Sequence, residues 1–398
     1  MSFAAESEWK VGWRIVAAGA VANATGISLF FFTYNLFLLP MIADFGLSRS
    51  DAGAVQSMVV MAALGAPFIG WLADRIGFRT VFVACSLALG AIEVALARWG
   101  SGFAAMAFAT AAIGFIGGGA AGVLITRPVS AHFSRYRGLA FGLVGAGVSL
   151  TTIVVPPWLE AMIATDGWRQ GYYALAGIAV LLGLPLVLAL MPASVSVKSA
   201  DAPRAPTDTS FLRSRDFLQM SLANVCISMA VSGSIGHLSP MLQANGLSAK
   251  TAALGISTFA IGQLVGKLGS GWLLDRYNPR IIASALNAAP ALAFVLLITS
   301  GSSVAPLLFA TGLLGLLQGA DNSVFAFLVA RRFPIAQFGT ILGSVHGIGW
   351  IGTAAGLIGF GLSFDKLGSY APVQAASIGA LLVAGLLLLK LRLPEKES

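Results

Sequence analysis

The chain has 398 residues, 57% of them hydrophobic and only 10% charged, against roughly 25% charged in an ordinary soluble domain. That balance excludes a soluble globular protein, and the net charge of +8 comes without the aromatic-interleaved basic patch a nucleic acid would need. Cys85 and Cys226 lie inside apolar runs and support neither a disulfide framework nor a metal cluster. No phosphate-cradling loop or nucleophile–base set appears, so neither a cofactor nor enzymatic chemistry is expected.

Residues 1–12 carry both charge signs and precede a long apolar run with no small-residue cleavage site. They introduce an uncleaved membrane span rather than a signal peptide. Apolar runs of the length that crosses a hydrocarbon layer of roughly 30 Å predict twelve spans. They fall at about 13–39, 52–73, 79–99, 103–128, 138–163, 168–191, 216–243, 251–274, 280–300, 304–330, 338–363 and 372–392. Residues 192–215, with Pro192, Pro203, Pro206, Ser194, Ser196 and Lys198, read as a solvated linker. The expected architecture is all-α: a six-helix bundle over 1–191, the linker, and a second six-helix bundle over 216–398. Lys10, Arg14, Arg75, Arg79, Arg135, Arg137, Arg276, Arg280, Arg331 and Arg332 crowd one side of this arrangement, and the other side holds Arg49, Arg98, Arg169, Lys250 and Lys366. The positive-inside rule then puts both termini and the linker in the cytoplasm.

Span two ends in the turn Gly70-Trp71-Leu72-Ala73-Asp74-Arg75-Ile76-Gly77-Phe78-Arg79. It returns 201 positions later as Gly271-Trp272-Leu273-Leu274-Asp275-Arg276-Tyr277-Asn278-Pro279-Arg280, with six of ten residues identical. The chain therefore reads as two copies of one unit, an organisation that places a substrate site between halves. The turn resembles the signature of the major facilitator superfamily, G-x-L-a-D-r-x-G-x-[RK]. The second copy departs from it by carrying Asn278 in place of the second glycine. The resemblance implies twelve helices in two pseudo-symmetric bundles and a gate formed by Gly70, Asp74, Arg75 and Arg79 with Gly271, Asp275, Arg276 and Arg280. Asp74 is suited to a facing helix N-terminus and to pairing with Arg75 or Arg137.

A second stretch, Phe133-Ser134-Arg135-Tyr136-Arg137-Gly138-Leu139-Ala140-Phe141-Gly142-Leu143 with Ala146-Gly147, is similar to the fifth-helix entry of monocarboxylate and oxalate–formate transporters. Gly167-Trp168-Arg169 is similar to the same group. The same glycines also suit tight helix packing. Pro156-Pro157 replaces the Gly-Pro pair typical of drug–proton antiporters.

Ionisable residues inside spans are costly and so point to function. Lys267 lies eight residues before Asp275, about 12 Å along its helix. By resemblance it stands where those transporters place an Arg that binds a substrate carboxylate. Lysine offers a point charge instead of a bidentate fork, and it can release its proton. Asp321, with Gln318 and Asn322 nearby, lies about 15 Å deep in span ten; it reads as a proton carrier or as the resting ion partner of Lys267. Arg127, beside Pro128 in span four, reads as a cavity residue or an anchor. Glu93 in span three is a second proton-coupling candidate, although a third helix is expected at the periphery, where pairing or snorkelling would serve it. His237 and His346 are candidate relays or locally bonded histidines. Tyr34, Asn35 and Asn224 offer hydroxyl and amide contacts. The oxalate carriers place a Lys on helix eleven, and Gly349 stands at the aligned position, which favours one carboxylate over two.

These readings converge on a secondary transporter of a small organic monoanion coupled to H+. It is expected as a monomer in the lipid bilayer of a bacterial inner membrane, with no nucleic-acid partner. An exporter of hydrophobic or aromatic compounds, and a non-transporting membrane sensor, are the alternatives.

Overall fold

The computed structural model describes residues 3–120, 128–129, 132–133, 136–191, 210–334 and 337–392. Among them every regular element is helical. Ten helical stretches among the described residues are long and apolar enough to cross a membrane. Expected span one is α1 (Phe3–Thr25) and α2 (Ile27–Phe45), interrupted at Gly26. Span two is α3 (Arg49–Ser57), a 3-10 turn over Met58–Met61, and α4 (Ala62–Ile76). It falls short of a single long helix because of that turn. Then come α5 (Phe78–Trp99) and α6 (Phe103–Ala120), the latter leading out of the described residues. After α7 (Arg137–Asp166) and α8 (Trp168–Gly177), a π-helical turn over Ile178–Gly183 joins α8 to α9 (Leu184–Leu190). The second half holds α10 (Arg215–Gly236), α11 (Leu238–Ala244), α12 (Ala249–Arg276), α13 (Pro279–Ala288), α14 (Ala291–Thr299), α15 (Val304–Arg332), α16 (Phe338–Leu367) and α17 (Ala371–Leu389).

The chain divides into two compact units, Met1–Leu47 with Val55–Asp201, and Ser48–Ala54 with Ala202–Ser398. The short segment Ser48–Ala54 thus groups with the second unit although it belongs to span two. The expected linker, 192–215, lies outside the described residues up to position 209.

Glycines build both units in the same way. In the first, a Cβ added at Gly65 on α4 would lie 1.8 Å from the Phe115 carbonyl oxygen on α6. One at Gly147 on α7 would lie 2.3 Å from that of Ala20 on α1. In the second unit, a Cβ added at Gly315 on α15 would lie 1.8 Å from the Phe259 carbonyl oxygen on α12, and one at Gly352 on α16 would lie 2.2 Å from that of Val225 on α10. Spans two and four, and one and five, therefore touch backbone to backbone. Spans eight and ten, and seven and eleven, repeat the pattern, which is how membrane helices gain packing without a hydrophobic drive between them.

The two copies of the turn start their next helix differently. Gly77 has φ +89° and ψ 151° between α4 and α5, a region that costs other residues strain. Asn278 has φ −62°, and its side-chain oxygen accepts the Arg280 N–H at 3.1 Å, with Pro279 opening α13. The Asn-for-Gly departure is thus an N-cap replacing a left-handed hinge. Gly77→Ala should destabilise the protein by about 1–3 kcal/mol, and Asn278→Ala by about 1 kcal/mol, measured by thermal unfolding in detergent. An unchanged Gly77→Ala melting temperature would show that the hinge relaxes freely.

Candidate functional site

In the second unit, α12 and α15 meet along Gly262, Gly266, Gly315 and Gly319. A Cβ at Gly319 would lie 2.0 Å from the Gln263 carbonyl oxygen and 2.9 Å from the Lys267 amide nitrogen. This contact places the backbone of Lys267 against α15, two residues from Asp321. Lys267 is half-buried, and its Nζ donates to Oε1 of buried Gln263 at 3.3 Å, one turn earlier on the same helix. Oδ1 of Asp321 is buried and accepts no hydrogen bond among the described residues. A buried carboxylate oxygen without a hydrogen-bond partner is expensive when charged.

His346 approaches the same helix from α16, its ring edge-on to Phe325 with centroids 5.9 Å apart. Its Nε2 is also buried without a partner among the described residues. Asn224 on α10 is 1% exposed; its amide donates to the Val345 carbonyl at 2.9 Å, and its Oδ1 is unpaired among the described residues. A Cβ at Gly349 would lie 2.4 Å from that amide nitrogen. The glycine where related carriers are expected to hold a lysine is the room that Asn224 fills. Four helices of this unit, α10, α12, α15 and α16, carry Asn224, Lys267, Asp321 and His346, and they meet at Asn224 with Val345, at His346 with Phe325 and at Gly319 with the Lys267 backbone.

His237 is elsewhere and fully engaged. Its Nε2 lies 2.9 Å from the Leu357 carbonyl, which requires a proton there, so Nδ1 accepts from the Tyr370 hydroxyl at 3.3 Å. Tyr370 in turn accepts from Arg49 Nη1 at 2.7 Å, and burial pushes its phenol up to about 12. Arg49 also stacks on Phe364, 3.4 Å from the ring centroid. Asp365 accepts the backbone N–H groups of Arg49 and Ser50 at 3.0 and 2.7 Å. Neither ring nitrogen of His237 is open to a ligand in this arrangement. This relay spans residues over 300 positions apart, and no local sequence pattern announces it.

In the first unit, Glu93 is 2% exposed and does not snorkel toward the surface. Its helix α5 packs on α6 and α8, so Glu93 faces neighbouring helices while Leu87 and Val94 of the same helix are exposed. Its Oε2 has no partner among the described residues, and the hydroxyl of Tyr172 on α8 donates to Met41 Sδ at 3.9 Å. Tyr34 is 1% exposed beside Phe30. Asn35 is buried and donates to the Phe32 carbonyl of its own helix at 2.9 Å.

Of the turn residues, Arg75 and Arg276 stack on the tryptophans four residues earlier, 4.2 Å over Trp71 and 4.5 Å over Trp272. Arg79 donates to the Leu188 and Met191 carbonyls at 2.7 and 3.2 Å, closing the end of span six. At Gly271 an added Cβ would meet nothing within 4 Å. Arg127 lies outside the described residues, as do the side chains of Asp74, Arg137, Asp275 and Asn322. Asp216, not singled out in the sequence, is buried and pairs with Arg332.

The family model described as the Major Facilitator Superfamily matches residues 19–237 and 220–398. The chain is similar to Monocarboxylate transporter 11 of Mus musculus, 29% identical over 366 residues, which are 87% of this chain and 77% of that one. It is similar to the gallate transporter of Pseudomonas putida, 26% identical over 87% of this chain and 86% of that one. Among solved structures it is similar in fold to a nucleoside transporter, with a TM-score of 0.78 at 15% identity over 95% of this chain and 99% of that one. The paired glycine contacts of the two units, the ten membrane-length helices and these matches agree on one conclusion. The chain is an integral membrane transporter and belongs to the Major Facilitator Superfamily.

Proposed function

We propose that the protein is a secondary active transporter of a small organic monoanion, a monocarboxylate that includes aromatic acids, driven by proton symport. The observation that carries this reading is Lys267. It is a half-buried cation in the middle of a glycine-packed helix pair, opposite a helix bearing Asp321, whose Oδ1 is buried without a hydrogen-bond partner among the described residues. An anion entering the site offsets the cost of holding that ammonium, and its arrival changes the field at Asp321, coupling substrate to proton. Glu93 is a second proton-holding candidate in the first unit. The Asn224–Gly349 pair leaves no room for a second cation at that position, which favours one carboxylate over two. The named relatives, a monocarboxylate and a gallate transporter, support the substrate class.

The bundles over 1–191 and 216–398, joined by the 192–215 linker, alternate access to this site. The turns around Asp74 and Asp275 act as the gate, and the protein works as a monomer in a bacterial inner membrane with both termini cytoplasmic. Proteoliposome uptake of radiolabelled lactate and benzoate under an inward proton gradient tests the reading. Uptake should rise with the gradient and fall when a protonophore collapses it. Equal uptake of uncharged analogues, or no response to the gradient, would exclude it.

A further inference from the structure

Both gating turns end a stripe of exposed side chains. On α4 the exposed positions Leu64, Phe68 and Trp71 lead to Arg75, and on α12 Val265, Leu268 and Trp272 lead to Arg276. The spacings of three and four residues put each series on one helix face. In both, the order along the helix is aliphatic, aromatic, then cationic.

Trp71 and Trp272 are 47% and 50% exposed, so each indole is half open. Each carries its arginine on the ring face. For Arg75 and Arg276 this ring contact is the one specific interaction among the described residues. Stacking holds a guanidinium flat while leaving its N–H fork directed outward, the geometry that takes a phosphate bidentately.

We infer that each turn binds the headgroup phosphate of an anionic phospholipid, one lipid per unit, with the stripe above it lying along the acyl chain. From Leu64 to Arg75 is eleven residues, about 16 Å of helix, close to half of a hydrocarbon layer of roughly 30 Å. The order of the side chains follows the depth of a single leaflet: chain, interface, headgroup. Tryptophan belongs at that interface, and anionic lipids attract arginine there. A free phosphate ion would use the arginine but not the stripe. That two units related by 201 positions keep the same pair argues for a function beyond charge anchoring.

The test is native mass spectrometry of the delipidated full-length protein titrated with phosphatidylglycerol, with phosphatidylcholine and with inorganic phosphate. Phosphatidylglycerol should give two tightly retained adducts, and neither of the other two should match it. Arg75→Gln and Trp71→Leu should each remove one adduct, as should Arg276→Gln and Trp272→Leu, and the double arginine variant should remove both. Melting temperatures in lipid-free detergent report folding of these exposed substitutions separately. Unchanged adduct numbers in folded variants, or equal retention of phosphatidylcholine, overturn the assignment. Displacement of the lipid by millimolar phosphate would show an ion site only, which overturns it as well.

Discussion

Lys267→Ala is expected to lower proton-driven uptake of monocarboxylates by roughly ten- to one hundred-fold. Hydrogen bonds to charged groups contribute about 1.5–3 kcal/mol, and each 1.4 kcal/mol is about tenfold in affinity. The loss should fall on anions, because the alanine removes the charge that selects them. Lys267→Arg separates charge from proton chemistry: arginine keeps the cation but does not release a proton in the accessible range. It should retain anion binding by thermal shift while the pH dependence of transport changes. Asp321→Asn keeps the shape and removes the titrating group, so it should spare exchange of substrate at equal pH but abolish gradient-driven accumulation. Combining Lys267→Ala with Asp321→Asn should give less than the sum of the two losses, since groups acting on one proton are not additive. If Lys267→Ala leaves uptake and stabilisation intact for every anion tested, the substrate site lies elsewhere.

How much of this site could be read from the chain depends on the kind of contact. The depth of Lys267 is legible from its eight-residue distance to Asp275, because a helix converts residues into a fixed rise, whereas its match to a carboxylate-binding position is what the resemblance implies. That helices pack closely is legible, since small residues recurring in apolar runs mark it. Which glycine meets which carbonyl was not, because Gly319 and Gln263 lie on helices whose register no local pattern sets. Glu93 shows the same limit. Depth along its helix was clear from the sequence, but the direction it faces depends on α6 and α8, and the structure turns it inward to 2% exposure. The histidines divide likewise. His237 is tied to Tyr370 and Leu357, both more than a hundred residues away. His346 keeps a buried Nε2 without a partner among the described residues. A lone histidine beside glycines looks alike in both cases.

Gly319 is where packing and chemistry meet, so Gly319→Leu is expected to be as damaging as loss of the cation. The 2.0 Å approach of its missing Cβ to the Gln263 carbonyl oxygen involves backbone, and a backbone carbonyl has no rotamer by which to retreat. Overpacking of a tight interior costs about 1–3 kcal/mol and sometimes more. Relief here requires α12 and α15 to separate along the stretch that holds Lys267. Gly319→Ala should lower the melting temperature and reduce uptake, and Gly319→Leu should leave little folded protein. Gly269, two residues from Lys267 on α12, provides the opposite case, because a Cβ there would meet nothing within 4 Å. Gly269→Ala should therefore stabilise the helix by about 0.5–1 kcal/mol. The two alanine variants, made in one unit and read by the same thermal unfolding, should thus move in opposite directions. Were Gly319→Ala to melt as high as Gly269→Ala, the α12–α15 contact would not hold Lys267 in place. Helix packing would then be independent of the proposed anion site, even if the lysine itself proved essential.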